Sequence, residues 1–232
     1  MLSLFVELLQ VFVPKLCLGC QCSLPKSLHQ LCLSCLEKLP FTYYEQSPVN
    51  PLYKLLVCQN DIEGAVSLFF FEKEGLLQKL IHSLKYKGQY SLGVFFGQML
   101  GKKLAAANLK SYTMVIPVPL HKKRRRYRGY NQVAGFGKAL AQVLGIAYND
   151  RLLYRHKPTK TLVRMTRAER WEQVQDAFGV HNLSALNGHH ILLVDDVITT
   201  GATLSAAVRA VSALGEVQIS VAAIAFAQSP LP

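Results

Sequence analysis

Residues 191–204 read ILLVDDVITTGATL, and they constrain the fold more tightly than any other stretch of the chain. Four apolar residues, Ile191, Leu192, Leu193 and Val194, lead into the adjacent carboxylates Asp195 and Asp196. Val197 and Ile198 follow, and then the small, hydroxyl-rich turn Thr199, Thr200, Gly201, Ala202, Thr203. A short apolar run bounded by a turn signal has the pattern of a buried parallel strand, and residues 202–214 continue with the pattern of a helix. Strand, loop and helix start in that order belong to an open α/β sheet, where ligands bind beyond the carboxyl ends of the strands. A loop of Thr, Gly and Ala at a helix N-terminus offers free N–H groups, a favourable dipole and little bulk, which suits a phosphate. The two aspartates beside it repel phosphate; they suit hydroxyl groups or a magnesium-bridged ligand. A ligand carrying both a phosphate and a sugar diol satisfies both halves.

The stretch resembles the phosphoribosyl pyrophosphate (PRPP) motif of type I phosphoribosyltransferases. That resemblance implies that Asp195 and Asp196 hold the ribose hydroxyls and that Thr199, Thr200, Gly201, Ala202 and Thr203 cradle the 5′-phosphate. An apolar strand ending in Asp-Asp also resembles the acidic strand of a P-loop NTPase, which needs a G-x-x-x-x-G-K-[ST] partner. The nearest stretch, GQMLGKK at 97–103, has the wrong spacing and no Ser or Thr after the lysine, so the NTPase reading fails. A strand–turn–helix with no ligand is the plainer alternative.

At 232 residues and 50% hydrophobic, the chain is long and apolar enough for one substantial α/β domain plus a small appendage. The net charge of +12 points to polyanionic ligands or partners, since such a field raises encounter rates with anions. Residues 1–16, MLSLFVELLQVFVPKL, are apolar but lack a basic n-region, contain Glu7 and stop at Pro14. They are read as a short amphipathic helix packed on the domain, not as a membrane span, with a cytoplasmic location expected.

Cys17 and Cys20 are separated by two residues, as are Cys32 and Cys35, with eleven residues between the pairs. Two C-x-x-C knuckles can set four thiolates around one structural Zn2+ with no open position. Cys22 and His29 lie inside the loop as substitute ligands without a partner at knuckle spacing. Cys58, in an apolar run, is read as a buried core thiol.

Residues 1–40 thus form an amphipathic helix and zinc module, 41–64 a linker or wrapping segment, and 65–232 the main domain. Residues 65–71 read as a strand, and a helix follows Gly75, ending in Lys85, Tyr86, Lys87 and Gly88. Those lysines fit either dipole complementation at a helix C-terminus or ligand binding. A further helix over 92–104 carries Gly93, Gly97 and Gly101 at fourfold spacing, which permits close packing. After a short strand at 115–116, Pro117 and Pro119 are expected to end pairing. Residues 122–128 then place six basic side chains in seven residues, Lys122, Lys123, Arg124, Arg125, Arg126 and Arg128, ahead of Gly129. So many like charges need an anion. As a loop on the same sheet edge as the Thr-Gly turn, this run could meet a pyrophosphate, and nucleic acid is the other reading. His189 and His190 are read as a solvated turn.

The double C-x-x-C, the segment LIHSLKYKGQ, IPVPLH followed by the basic run and RGYNQ, then RAER at 167–170 and LLVDDVITTGATL occur in the order of the ComF family. The chain is similar to its ComFC and GntX members over nearly its whole length. The resemblance implies a type I phosphoribosyltransferase-like parallel sheet flanked by helices, with a small N-terminal zinc-binding module, in a bacterial cytoplasmic protein of natural transformation. It also implies action on incoming single-stranded DNA beside a helicase-like competence protein. It matches Cys17, Cys20, Cys32 and Cys35 to zinc ligands, and Lys123, Arg124, Arg126, Arg128, Gly129, Asn131 and Gln132 to the basic loop. Arg167, Glu169 and Arg170 match a mobile flap, in which Leu162 and Gln173 depart from the expected glutamine and asparagine. Magnesium with PRPP is implied, with Asp195, Asp196, Arg124 and Arg126 catalytic and no nucleophilic side chain required. The acceptor stays open. So does the choice between a transferase and a non-catalytic nucleic-acid-binding adaptor that keeps the transferase fold.

Overall fold

The computed structural model describes residues 15–25, 27–28, 30–108, 111–156, 177–182, 186–213 and 216–228. Most of residues 1–16, the flap segment with Leu162, Arg167, Glu169, Arg170 and Gln173, and His29 lie outside them. Five strands form the main sheet: β1 (Gly64–Phe70), β2 (Met114–Pro117), β3 (Ala147–Tyr148), β6 (His190–Ile198) and β7 (Gln218–Phe226). Their order is β1-β7-β6-β2-β3, and every pairing is parallel. Two short strands, β4 (Leu153–Arg155) and β5 (Phe178–Val180), pair antiparallel apart from it.

The strand composition follows from burial on both faces. Ile191, Leu192, Leu193 and Val194 of β6 are wholly buried, as are Val221 to Ala225 in β7, so a continuous apolar run replaces alternation. The expected strand and helix at 191–214 are realised as β6 and α7 (Ala202–Ser212). Pairing does not stop at the prolines. Pro117 sits opposite Val194, and the Val118 amide donates to the Val194 carbonyl at 2.8 Å. Backbone groups alternate sides along a strand, so Pro117 turns its missing N–H toward β3, which pairs only with Met114 and Val115.

Residues 41–64 wrap the outer edge of β1. Phe41 bridges Phe69, and the Phe70 amide donates to the Pro40 carbonyl at 2.8 Å, which covers an otherwise open edge. The same segment forms α2 (Pro51–Val57), started by Pro51 and capped by Asn50, whose Oδ1 accepts from the Tyr53 amide at 3.0 Å. The first helix, α1 (Leu33–Glu37), belongs to the cysteine module. Cys58 just after α2 is exposed and donates to the Lys54 carbonyl, so it is not the core thiol expected. The apolar side of this short helix is used up by Leu52 and Leu56.

Helices α3 (Leu76–Tyr86), α4 (Tyr90–Ala107), α5 (Lys122–Arg128) and α6 (Ala134–Leu144) complete the described helices before α7. The glycine row of α4 faces α6 at backbone contact. A Cβ on Gly97 would lie 2.2 Å from the Phe136 carbonyl oxygen and 3.0 Å from the Ala139 Cβ. Gly97→Ala must therefore push the two helices apart. It is expected to cost roughly 3 kcal/mol or more, read as a lower urea midpoint at unchanged m-value.

His190 also departs from expectation. It opens β6 in the core, with Nε2 2.9 Å from the Ser220 Oγ and Tyr112 edge-on at 4.9 Å. Only His189 keeps the character of a turn residue, with Nδ1 2.8 Å from the Thr113 Oγ1.

Candidate active site

The chain leaves β2 toward β3 on one side of it, while β6 lies on the other, so the sheet has its switch point between β2 and β6. Two expected ligand segments emerge at the carboxyl ends of these adjacent strands. From β2 comes the basic run, and from β6 come Asp195, Asp196 and the Thr-Gly turn.

The basic run is a helix, α5, not a loop. The His121 side chain starts it, with Nδ1 accepting from the Lys123 amide at 3.3 Å, and Gly129 ends it at φ +78°. Burial and the nearby cations Arg155 and Lys123 hold His121 below the ordinary imidazole range, which keeps Nδ1 free to accept. Helical geometry sorts the basic residues. Arg124 and Arg128, four apart, share one face and line a cleft of about 630 Å³. Lys123 and Arg126 are exposed and are not among the residues lining that cleft.

Opposite them stand Gln78, His82, Lys85 and Tyr86 of α3, with Val197 and Thr199 from the end of β6. Asp196 is buried at the junction. Its Oδ2 meets the Lys85 Nζ at 2.9 Å and accepts from the Gln132 Nε2 at 2.9 Å, while its Oδ1 accepts from the Val197 amide at 2.6 Å, so both oxygens serve as acceptors. Gln132 is itself fixed, because its Oε1 accepts from the Arg128 Nη1 at 2.8 Å. Arg128 lies over the Tyr86 ring at 5.1 Å, with Nη2 3.4 Å from the Tyr86 hydroxyl. A polar chain thus runs from the basic helix through Gln132 to the acidic pair and on to α3.

Asp195 accepts from the Asp196 amide at 2.8 Å. Burial, and then the neighbouring Asp196 charge, push its carboxyl up to about 7, against the opposing pull of that amide, Lys85 and Arg155. Because the folded form holds this proton more tightly than the unfolded chain, the associated stability is full below the ordinary carboxylate range. It is lost as pH rises toward and through 7. Asp195→Asn mimics the protonated form. It is expected to match the parent near pH 4 and to exceed it in denaturant midpoint at pH 8.

The Thr-Gly turn rests on the wrapping segment. Gly201 has φ +76°, and a Cβ there would lie 2.8 Å from the Leu56 Cδ2 of α2. Asn60 Nδ2 reaches the Ser205 Oγ in α7 at 2.9 Å and the Leu56 carbonyl at 2.8 Å. No side chain caps α7 at Gly201. Ala202 is buried, Thr200 and Thr203 are partly buried, and Thr199 is exposed at the cleft rim.

In the N-terminal module the sulfurs of Cys17, Cys20, Cys22 and Cys32 all lie within 4.8 Å of one another. Cys35 stands outside that set, buried on the core side with its Sγ against Gly19 of the first knuckle. The sequence pairing named Cys35 and left Cys22 as a substitute; the geometry gathers Cys22 into the cluster. A zinc–sulfur distance of about 2.3 Å implies sulfurs about 3.8 Å apart in a tetrahedron. Cys20 and Cys32 stand at 3.7 Å, which fits. The amides of Gly19 and Cys32 point at the Cys17 Sγ, at 3.4 and 3.3 Å. Burial alone would raise Cys17, but amides of Cys20, Cys32 and Gly19 outweigh it and bring the thiol down to about 6, as a thiolate ligand requires.

Residues 133–230 match the phosphoribosyl transferase domain family. The chain is 27% identical over 190 residues to the DNA utilization protein YhgH of Salmonella typhimurium, spanning 80% of this chain and 73% of that one. It is 30% identical over 150 residues to competence protein F of Haemophilus influenzae, spanning 62% and 66%. With competence protein ComFC of Bacillus subtilis the identity is 25% over 188 residues, spanning 81% and 68%.

These matches support a ComF-family, phosphoribosyltransferase-like protein. Its fold is the parallel sheet with flanking helices expected of that family. The domain match begins at residue 133, so Lys85, Tyr86, Arg124, Arg128 and Gln132, which close the site, all precede it. Sequence reasoning assigned no role to the contact between Lys85 and Asp196. Its only signal was the KYKG end of α3, equally well explained by the helix dipole. Arg155, buried on β4 and stacked on the Phe178 ring at 5.1 Å, carried no signal at all.

Proposed function

We propose that this chain binds PRPP with Mg2+ over the carboxyl ends of β2 and β6 and transfers its phosphoribosyl group. The acceptor is a base, a nucleotide or DNA, in the handling of incoming single-stranded DNA during natural transformation. The reading places the protein in the cytoplasm beside a helicase-like competence protein. Among the described residues no helix is long and apolar enough to cross a membrane. The observation that carries the proposal is the buried Asp196, held by Lys85 and Gln132 between the Thr-Gly turn and the basic helix.

In this reading the amides of residues 199–203 and the N-terminus of α7 hold the 5′-phosphate. Asp195 and Asp196 accept hydrogen bonds from the ribose hydroxyls, and Gln132 keeps Asp196 in one orientation. Mg2+, when bound with PRPP, supplies positive charge to the departing pyrophosphate. Arg124 and Arg128 add charge from the cleft side, with Lys123 and Arg126 available from the outer face of α5. Negative potential from the acidic pair favours the cationic anomeric carbon, so positioning and electrostatics supply the acceleration. Cys17, Cys20 and Cys32, with Cys22 or Cys35, would hold a structural Zn2+, an ion that takes four thiolates in a tetrahedron.

A non-catalytic, nucleic-acid-binding adaptor is the second reading. It is supported by Lys122, Lys123, Arg125 and Arg126, all exposed on α5, and by Tyr127 at 82% exposure, since exposed cations and aromatics suit a single strand. Calorimetric titration with PRPP and Mg2+, followed by pyrophosphate release with candidate acceptors including single-stranded DNA, separates the two. No heat and no release would remove the transferase. For the DNA contact, Lys123→Ala with Arg126→Ala should flatten the slope of log K against log salt by about 1.4, with salt-independent binding counting against it.

A further inference from the structure

The cysteine module holds five thiols where one tetrahedral ion needs four. Cys17, Cys20 and Cys32 belong to the mutually close set, and Cys35 lies under the knuckle that Gly19 forms between Cys17 and Cys20. The two remaining sulfurs approach this triangle from different environments. Cys22 is exposed, with its Sγ 3.2 Å from that of Cys20, and the hairpin that carries it is closed by the Cys17 amide donating to the Cys22 carbonyl at 2.8 Å. Cys35 is buried in α1 and pressed so closely under the knuckle that a Cβ on Gly19 would meet its Sγ at 2.8 Å. One triangle of thiolates therefore has a candidate fourth ligand from solvent and another from the core.

We infer that Cys22 and Cys35 are alternative fourth ligands of one ion on the Cys17, Cys20 and Cys32 triangle, Cys22 serving as the thiol through which the ion enters and leaves. The inference rests on the zinc reading above. Exchange replaces one metal–sulfur bond by another: the incoming thiol releases its proton to water and the displaced thiolate takes one up. No electrons move, and no oxidant is needed. Docked to Cys35, the ion ties the module to the buried cluster of Leu31 and Leu39; docked to Cys22, it lies at the surface. An accessible incoming ligand lets the metal exchange without first opening the core.

The test uses the reduced full-length protein titrated with Co2+, whose ligand-field and sulfur-to-metal bands report the number of thiolates. The parent, Cys22→Ser and Cys35→Ser should each take up one equivalent with a tetrathiolate spectrum, and only the double variant should lose it. Transfer of zinc to a competing chelator should be several-fold slower in Cys22→Ser than in the parent. If Cys35→Ser loses the tetrathiolate spectrum while Cys22→Ser keeps it, Cys22 is a bystander and the inference is wrong. The opposite pattern makes Cys35 a plain core thiol and is equally fatal. A parent protein that takes up no metal would instead overturn the zinc reading itself. Cys35→Ala, which buries no hydroxyl, replaces the serine variant if circular dichroism shows misfolding.

Discussion

Asparagine at both Asp195 and Asp196 is expected to weaken binding of PRPP with Mg2+ by about 100-fold or more while the sheet stays folded. Hydrogen bonds to a charged acceptor contribute about 1.5–3 kcal/mol each, and the exchange weakens two of them. Asparagine keeps the shape of aspartate, and its one acceptor oxygen can serve either the Gln132 Nε2 or the Val197 amide, which now meet the two oxygens of Asp196 at 2.9 and 2.6 Å. Lys85 loses its charged partner, but its side chain is 23% exposed and can turn to water. The loss is read in calorimetric affinity, at a temperature where circular dichroism shows the variant folded. Lys85→Met serves as the contrast. It leaves both carboxylates but removes the cation paired with the buried Asp196, so it should lower stability while sparing the hydroxyl contacts. Unchanged heat in the double asparagine variant would sink the assignment of the acidic pair to the ribose.

The second large effect is expected at the other end of the chain. Chelation of the metal should unfold the segment around residues 15–39 and leave the main sheet in place. Structural zinc sites supply about 10–16 kcal/mol of apparent binding free energy in small peptides, and without it the thiolates here would repel. The only described helix of this segment, α1, has five residues and no side-chain cap, too short to persist alone. Cys17 and Cys35 are both buried with Leu31 and Leu39 in the common core, so the loosened module should also lower the thermal midpoint of the whole chain. Limited proteolysis before and after chelation, with metal analysis, makes the comparison. Identical digestion patterns and under about half an equivalent of metal would exclude a closed structural site.

The degree to which the molecule was legible in its sequence follows the range of the interactions involved. β6 and α7 could be read because burial on both faces leaves an apolar run and because a Gly at positive φ leaves a turn signature. The glycine row at Gly93, Gly97 and Gly101 announced a close helix contact, although not that its partner would be α6. The basic run was misread as a loop because its charge hid a seven-residue helix whose cap is a histidine, a less common capping residue. Cys58 and His190 changed places between core and surface for a similar reason. A single residue at the border of an element takes its burial from what packs across it, and here that is Tyr112 and Ser220 for His190.

By itself, the sequence determined the class of fold, the strand that ends in two carboxylates, the glycine turn that follows and the presence of a cysteine cluster. Each depends on neighbours a few residues apart, through side-chain periodicity, backbone conformation or knuckle spacing. Tertiary structure alone decided that Asp196 would face Lys85 and Gln132, that Arg124 and Arg128 but not Arg126 would line the cleft, and that α2 would brace Gly201 from below. It also gathered Cys22 with Cys17, Cys20 and Cys32 and set Cys35 on the core side. These contacts join residues far apart in the chain, and their partners are chosen by how helices and strands pack, which local pattern does not encode.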